Sequence, residues 1–340
     1  MKKKTINGIE IFEWSVGDQA LTGSNGFSQG LVSAIGNFDG VHRGHQTLIN
    51  SALVDAEKNA LLPSVITFEP HPREFFRRDE TTFRLVDKLE KERLIANLLQ
   101  KARSAKIINI EFNDALRRTD ATAFVRDVLA NLGVRRLFAG KDFAFGKGRG
   151  GDLDMINREG KLSGISATPV ELLTDENTSV ISSSRIRAAL QAGSPASAAS
   201  MLGRNWAVCG EVIKGSERGR TIGFPTANIR LGTLQHPAFG VYAVEIELDN
   251  GNINPDVLGV GVANIGIRPT VEHRGVLCEV HLFDRDIDLY SKRLLVRLRE
   301  FLRPERKFSG IEELTSQIKK DSMAARRIFS KIVLARPDLR

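Results

Sequence analysis

The decapeptide Gly36-Asn37-Phe38-Asp39-Gly40-Val41-His42-Arg43-Gly44-His45 holds two histidines three residues apart. On the first turn of a helix, residues at that spacing share a face. Two imidazoles there can donate hydrogen bonds to a phosphate and stabilise charge that builds up in a transition state. A helix N-terminus adds backbone N–H groups and the positive end of the helix dipole. Gly36 and Gly40 let the backbone approach a nucleotide closely. A zinc pair would need a third ligand, and none is evident. The segment is neither a Walker A loop nor GxGxxG. Further along, Ile181-Ser182-Ser183-Ser184-Arg185-Ile186-Arg187 puts serines at a helix start, where they cap N–H groups or bind phosphate oxygens. Arg187 adds a fixed cationic fork.

A second cluster begins at Gly210. Gly215, Gly219 and Gly223 give a loop whose N–H groups can cradle phosphate, and Lys214 and Arg220 add charge. Thr226 and Asn228 present hard oxygens two residues apart, on one side if the chain is extended, as suits Mg²⁺. The same residues read equally well as a hairpin turning at Pro225. Glu279 and His281 share one face of a strand. Alternation alone leaves Glu279 either at a ligand or in solvent.

The elements that would position these groups fall into two patterns. Leu31 to Ile35, Val65 to Phe68, Ile107 to Phe112, Arg135 to Ala139 and Ile165 to Leu172 read as strands. Helical spacing falls between them, over Leu48 to Ala56, Asp87 to Ala102 and Ala121 to Leu132, and a further helix begins near Ser183. This βα alternation predicts an α/β domain whose parallel sheet is covered by helices on both faces. After Arg204 the strands crowd together at Trp206 to Ile213, Gly240 to Leu248, Val257 to Ala263, Leu277 to Phe283 and Leu294 to Phe301. Gly and Pro turns separate them, which predicts a small antiparallel barrel or sandwich. A terminal helix over about Gly310 to Val333 follows. The expected fold class is α/β plus β, with domains 1–190 and 206–340 and a linker, 191–205, rich in Ala, Gly and Ser.

The 340 residues are 41% hydrophobic and 26% charged, enough apolar content for a core in each half. The formal charge of +8 favours anionic partners. Aromatic content of only 6%, with no recognised binding motif, argues against a nucleic-acid-binding protein. Cys209 and Cys278 lie far apart without a CxxC, as expected for a reducing compartment. Three lysines near the N-terminus have no apolar run behind them, and no stretch approaches a membrane span. A cytoplasmic enzyme without membrane partners is the expectation.

The decapeptide resembles the start of the HxGH nucleotidyltransferases, and in its longer form the FMN adenylyltransferase module of bacterial FAD synthetases. Thr67-Phe68-Glu69-Pro70-His71-Pro72, Gly140 to Gly146 with Gly148 to Asp152, and Ile181 to Arg187 are similar to later motifs of that module. Gly210 to Gly215 with Gly219-Arg220 and Gly223-Phe224-Pro225-Thr226-Ala227-Asn228 resembles the riboflavin kinase module. Phe239 to Ala243, Val262 to Gly266, Glu279 to Asp284 and Phe301 to Phe308 continue that likeness. The resemblance spans about Leu31 to Asp321. It implies a Rossmann-like nucleotidyltransferase domain followed by a small antiparallel β-barrel with a C-terminal helix.

It also implies ATP-dependent phosphorylation of riboflavin to FMN and adenylylation of FMN to FAD, with Mg²⁺ as cofactor. Gly36, Phe38, Asp39, Gly40, His42, His45, Ser183, Ser184 and Arg187 would hold ATP in the first module. Pro70, His71, Pro72, Asp142 and Phe145 would lie near FMN. In the second, Gly215, Gly219, Arg220, Gly223, Pro225, Thr226 and Asn228 would hold ATP, with Mg²⁺ on Thr226 and Asn228. Glu279 would be the base that takes the proton of the riboflavin hydroxyl. Asp142, Ala144, Ser184 and Ser291 stand where the family often has Asn, Arg, Thr and Gly. The first two departures define the alternative of a kinase with an impaired adenylyltransferase module.

Overall fold

A computed structural model describes residues 2–22, 27–77, 82–215, 219, 222–268, 275–285 and 287–335. The chain divides into two compact units: residues 1–81 with 88–181, and residues 82–87 with 182–340.

In the first unit the short apolar runs become strands, because residues buried on both faces of a sheet need no polar alternation. Its strands are β1 (Lys2–Ile6), β2 (Ile9–Trp14), β3 (Leu31–Ile35), β4 (Leu62–Glu69), β5 (Lys106–Glu111), β6 (Val134–Gly140) and β7 (Ser166–Val170), in the order β1-β2-β5-β4-β3-β6-β7. Every neighbouring pair is parallel except the β1/β2 hairpin. All of β3 is buried. Leu31, Ile35, Ile66, Ile108 and Leu137 form one core with Val125 and Leu129, each such side chain contributing about 1.5–3 kcal/mol on burial. The helix expected over Ala121 to Leu132 is present as an α-turn, Ala121–Ala123, that widens into a π-helix, Phe124–Leu129. The β1/β2 hairpin was not expected, since Lys2 to Lys4 carry no strand signal.

From β3 the chain builds outward on one side through β4 and β5, then returns to add β6 on the other. The order therefore reverses between β3 and β6, which is where open α/β sheets bind ligands beyond the strands' C-terminal ends.

The second unit is a closed barrel of β8 (Ala207–Ile213), β9 (Ala227–Arg230), β10 (Gly240–Leu248), β11 (Asp256–Arg268), β12 (Gly275–Leu282) and β13 (Arg293–Pro304), ordered β10-β11-β12-β9-β8-β13. Closure removes exposed sheet edges. β9 was not expected, because Pro225 just before it reads as a turn. The C-terminal helix Ile311–Ala335 lays Ala325 and Phe329 on Val241, Ala243 and Val262.

Two expectations need correcting. The segment read as a linker contains the helix Pro195–Leu202, with Ala198, Met201 and Leu202 buried. Small residues here allow packing rather than flexibility. The two units also meet at Ile181/Ser182, and residues 82–87 count with the barrel. Trp206 Nε1 donates to the Leu85 carbonyl at 2.7 Å, and Arg293 reaches Asp87 at 2.5 Å. The basic residues Arg293 and Arg303 are half-buried in ion pairs with Asp87, Asp249 and Asp321.

Candidate active sites

Three of the sequence motifs leave the C-terminal ends of adjacent strands: Gly36 to His45 follows β3, Pro70 to Pro72 follows β4, and the Gly140 to Gly146 loop follows β6. The first is tightly built. Phe38 (φ 50) and Val41 (φ 43) adopt the left-handed backbone region, although both are non-glycine and Val41 is β-branched. Such strain amounts to about 1–3 kcal/mol per residue and persists where the surroundings enforce it. Here both side chains are buried, at 0% and 1% exposure.

The strained loop delivers His42 as the N-cap of helix Arg43–Asn59. The His45 N–H donates to His42 Nδ1 at 3.3 Å, so the His42 ring carries its proton on Nε2. The His42 and His45 rings stack at 3.5 Å, and Phe38 meets His45 edge-on at 5.2 Å. A Cβ at Gly44 would lie 3.2 Å from the His42 ring and 3.8 Å from the Ile181 carbonyl oxygen. The glycine is thus what lets the imidazole lie across the first turn. Asp39 is buried beside them, and Gly40 takes φ 84.

Beyond β4, the Glu69–Pro70 bond is cis. His71 caps helix Pro72–Phe76, accepting from the Arg73 N–H at 3.1 Å. Phe75, Phe76 and Phe112 gather here with centroids 5.4–5.6 Å apart. Phe76 is 61% exposed. Sequence reasoning missed this aromatic platform, because Phe112 comes from the end of a different strand. Phe145, expected against flavin, is instead a buried ring between Phe124 and Phe143, and its backbone pairs with Gly151. Asp142 is exposed, its carboxylate lying over Gly140.

Ser183 and Ser184 open helix Ser183–Gln191 and Arg187 follows one turn later; the helix belongs to the second unit. Ser182 is the cap, accepting from the Arg185 N–H at 3.4 Å. Arg187 donates to the Phe83 carbonyl at 2.7 Å and sits over the Phe83 ring.

On the barrel, Asn228, Glu279 and Asn264 lie directly opposite one another on β9, β12 and β11. Paired residues share a face, so these three side chains form a polar row. Val262, covered by the C-terminal helix, pairs with His281 and shows that this face is the outer one. Cys278 alternates inward and is fully buried; its thiol is pushed far up, first by burial and then by the charge of Glu279. Asn264 Nδ2 donates to Glu279 at 3.4 Å and to Glu305 at 3.1 Å. Asn264 and Glu305 were not singled out from sequence, since only strand register brings them to Glu279. His281 Nδ1 lies 2.9 Å from the Pro225 carbonyl, beside Phe224.

Gly215 and Gly219 are glycines for steric reasons. A Cβ at Gly215 would run into the Asn228 amide, and one at Gly219 into the Phe224 carbonyl, 3.4 Å from Thr226 Oγ1. Gly223 takes φ 84 in an exposed turn and Pro225 follows it. Arg220 lies outside the described residues. Among the described residues no three His, Cys, Asp or Glu side chains gather to hold a metal. A divalent ion here would have the neutral oxygens of Thr226 and Asn228 and the substrate phosphates as ligands.

A parallel sheet with a histidine pair at its switch point, joined to a closed barrel bearing a carboxylate–amide row, defines a two-module nucleotide-dependent transferase. The FAD synthetase family model matches residues 25–185 and the riboflavin kinase model residues 202–329. A bifunctional riboflavin kinase/FMN adenylyltransferase of Escherichia coli is 39% identical over 308 residues, covering 88% of this chain and 93% of that protein. One from Bacillus subtilis is 38% identical over 307 residues, with the same coverage. A solved structure described as a macrolide-efflux protein from Streptococcus pneumoniae is 26% identical with TM-score 0.74, covering 93% of this chain and 99% of that one. The chain belongs to the bifunctional riboflavin kinase/FMN adenylyltransferase family. Among the described residues no helix is long and apolar enough to cross a membrane.

Proposed function

We propose that this chain makes FAD from riboflavin in two ATP-dependent steps. The barrel module, residues 206–340, converts riboflavin and ATP to FMN and ADP. The sheet module, matched by the FAD synthetase model over residues 25–185, converts FMN and ATP to FAD and pyrophosphate. Matches to both family models, end to end along one chain, carry this reading and disfavour a kinase with an impaired first module. Asp142 stays compatible with an active module, since it is exposed beside Gly140.

In the kinase step a neutral alcohol must lose its proton as it attacks the γ-phosphorus of ATP, so a base is needed. Glu279 takes that role, with Asn264 holding its carboxylate. Gly215, Gly219, Gly223, Pro225 and Arg220 surround the phosphates. Thr226 and Asn228 hold Mg²⁺, which supplies charge neutralisation when bound.

In the adenylyl-transfer step the FMN phosphate is already an anion, so no side-chain nucleophile or base is required. Its oxygen bonds to the α-phosphorus of ATP as the bond to the β-phosphate bridging oxygen breaks and pyrophosphate leaves. Catalysis is then positioning plus electrostatic stabilisation. His42 Nε2–H and His45, at a helix N-terminus with Gly36, Phe38, Asp39 and Gly40, meet the phosphates. The family resemblance gives Ser183, Ser184 and Arg187 a phosphate-holding role as well. The Pro70–Pro72 loop and the Phe75/Phe76/Phe112 platform face the flat flavin ring, with Asp142 at the edge and Phe145 supporting the loop from inside. A cytoplasmic setting, where riboflavin and ATP meet, fits both steps.

Glu279→Gln should lower FMN formation at least about a hundredfold, the usual contribution of a general base. FAD formation from supplied FMN should stay near normal. FMN formation persisting at the wild-type rate would contradict the assignment of the base.

A further inference from the structure

Four consecutive charged residues, Glu90 to Arg93, are all buried on helix Lys88–Leu99. Glu90 and Arg93 pair with each other at 2.6 Å. Lys91 instead points its ammonium at the end of β4. It forms an ion pair with Glu69 at 2.5 Å and donates to Thr67 Oγ1 at 3.2 Å and to the Phe68 carbonyl at 3.3 Å. Those are three acceptors on three consecutive residues, as many as an ammonium has donors. Glu69 is the residue before Pro70, so the cluster fixes the root of the Pro70–Pro72 loop. Thr67 Oγ1 in turn donates to the Asn37 carbonyl at 3.3 Å, inside the loop that delivers His42. Lys91, at 2% exposure, thereby ties the start of both loops to one point.

We infer that Lys91 is a positioning residue for FMN in the adenylyl-transfer site, an inference that rests on the function proposed above. A buried ion pair is a poor source of stability, and apolar residues of similar volume often serve as well. What the ammonium supplies that a methionine cannot is direction, because it pins three oxygens where two loops begin. Its contacts with Thr67, Phe68 and Glu69 act directly on β4, whereas the link to the β3 loop is relayed through Thr67. The effect therefore falls on FMN more than on ATP.

The test uses the full-length protein with Lys91→Met and with the double variant Glu69→Gln/Lys91→Met, which leaves no lone buried carboxylate. Both should phosphorylate riboflavin within about twofold of wild type. In FAD synthesis both should show KM for FMN raised at least tenfold, with KM for ATP changed less than threefold. A merely structural role would lower Tm and the active fraction, so that kcat falls while both KM values hold. FMN KM within twofold of wild type in the double variant would overturn the inference. A wild type that makes no FAD from FMN would overturn the proposed function as well, so the two failures are told apart.

Discussion

Gly44 and Gly215 are small for reasons that only their neighbours reveal. Neither needs a left-handed backbone, yet a Cβ on Gly44 would press the His42 ring, already stacked on His45 at 3.5 Å, and one on Gly215 would strike the Asn228 amide. Alanine in the first helical turn is at least as favourable as glycine, whose greater backbone freedom is lost on folding. Gly44→Ala should therefore leave Tm unchanged or raised while FAD synthesis falls about tenfold, since a shifted hydrogen-bond donor loses transition-state stabilisation. Gly215→Ala should depress riboflavin phosphorylation and spare FAD synthesis. Steady-state assays of each half-reaction check both, and equal losses in the two reactions would contradict the separate placement. The histidine pair and its glycines were legible in sequence because their spacing is local. Asn264, Glu305, Phe112 and Lys91 were not, because each reaches its site through strand register or tertiary packing. Lys91 in particular lies within a charged run that reads as solvated surface.

Elements were legible where burial imposes a pattern and illegible where it does not. The apolar β3 and the regularly spaced barrel strands stood out. The Pro195–Leu202 helix read as a linker, although Pro at its start and a left-handed Gly203 at its end are ordinary helix punctuation. The β1/β2 hairpin was hidden by its lysines, which now prove to be partners. Lys3 and Lys106 both pair with Glu10, and hydrogen bonds from Lys106 and then Lys3 hold its carboxyl below the usual range. A carboxylate with a lowered folded pKa contributes stability above the ordinary carboxylate range and loses it as pH falls through the folded value. Denaturation of wild type and Glu10→Gln should thus differ at neutral pH and converge in acid. A gap that persists or widens below the carboxylate range would contradict the role of these pairs.

For the whole molecule, the fold class was readable because each half repeats its own rhythm, strand–helix in the first and closely spaced strands in the second. The division at Ile181/Ser182 was not, because the assignment of residues 82–87 to the barrel unit depends on partners such as Leu85 with Trp206 and Asp87 with Arg293, which are far apart in sequence. One chain thus carries two consecutive ATP-dependent steps on the same flavin. The measurement that tests it most directly is a time course of the purified protein with riboflavin, ATP and Mg²⁺, with the flavins separated at each point. FMN should rise first and then give way to FAD, with ADP and pyrophosphate as the two by-products. FMN accumulating without any FAD, or riboflavin left unchanged, would contradict the account.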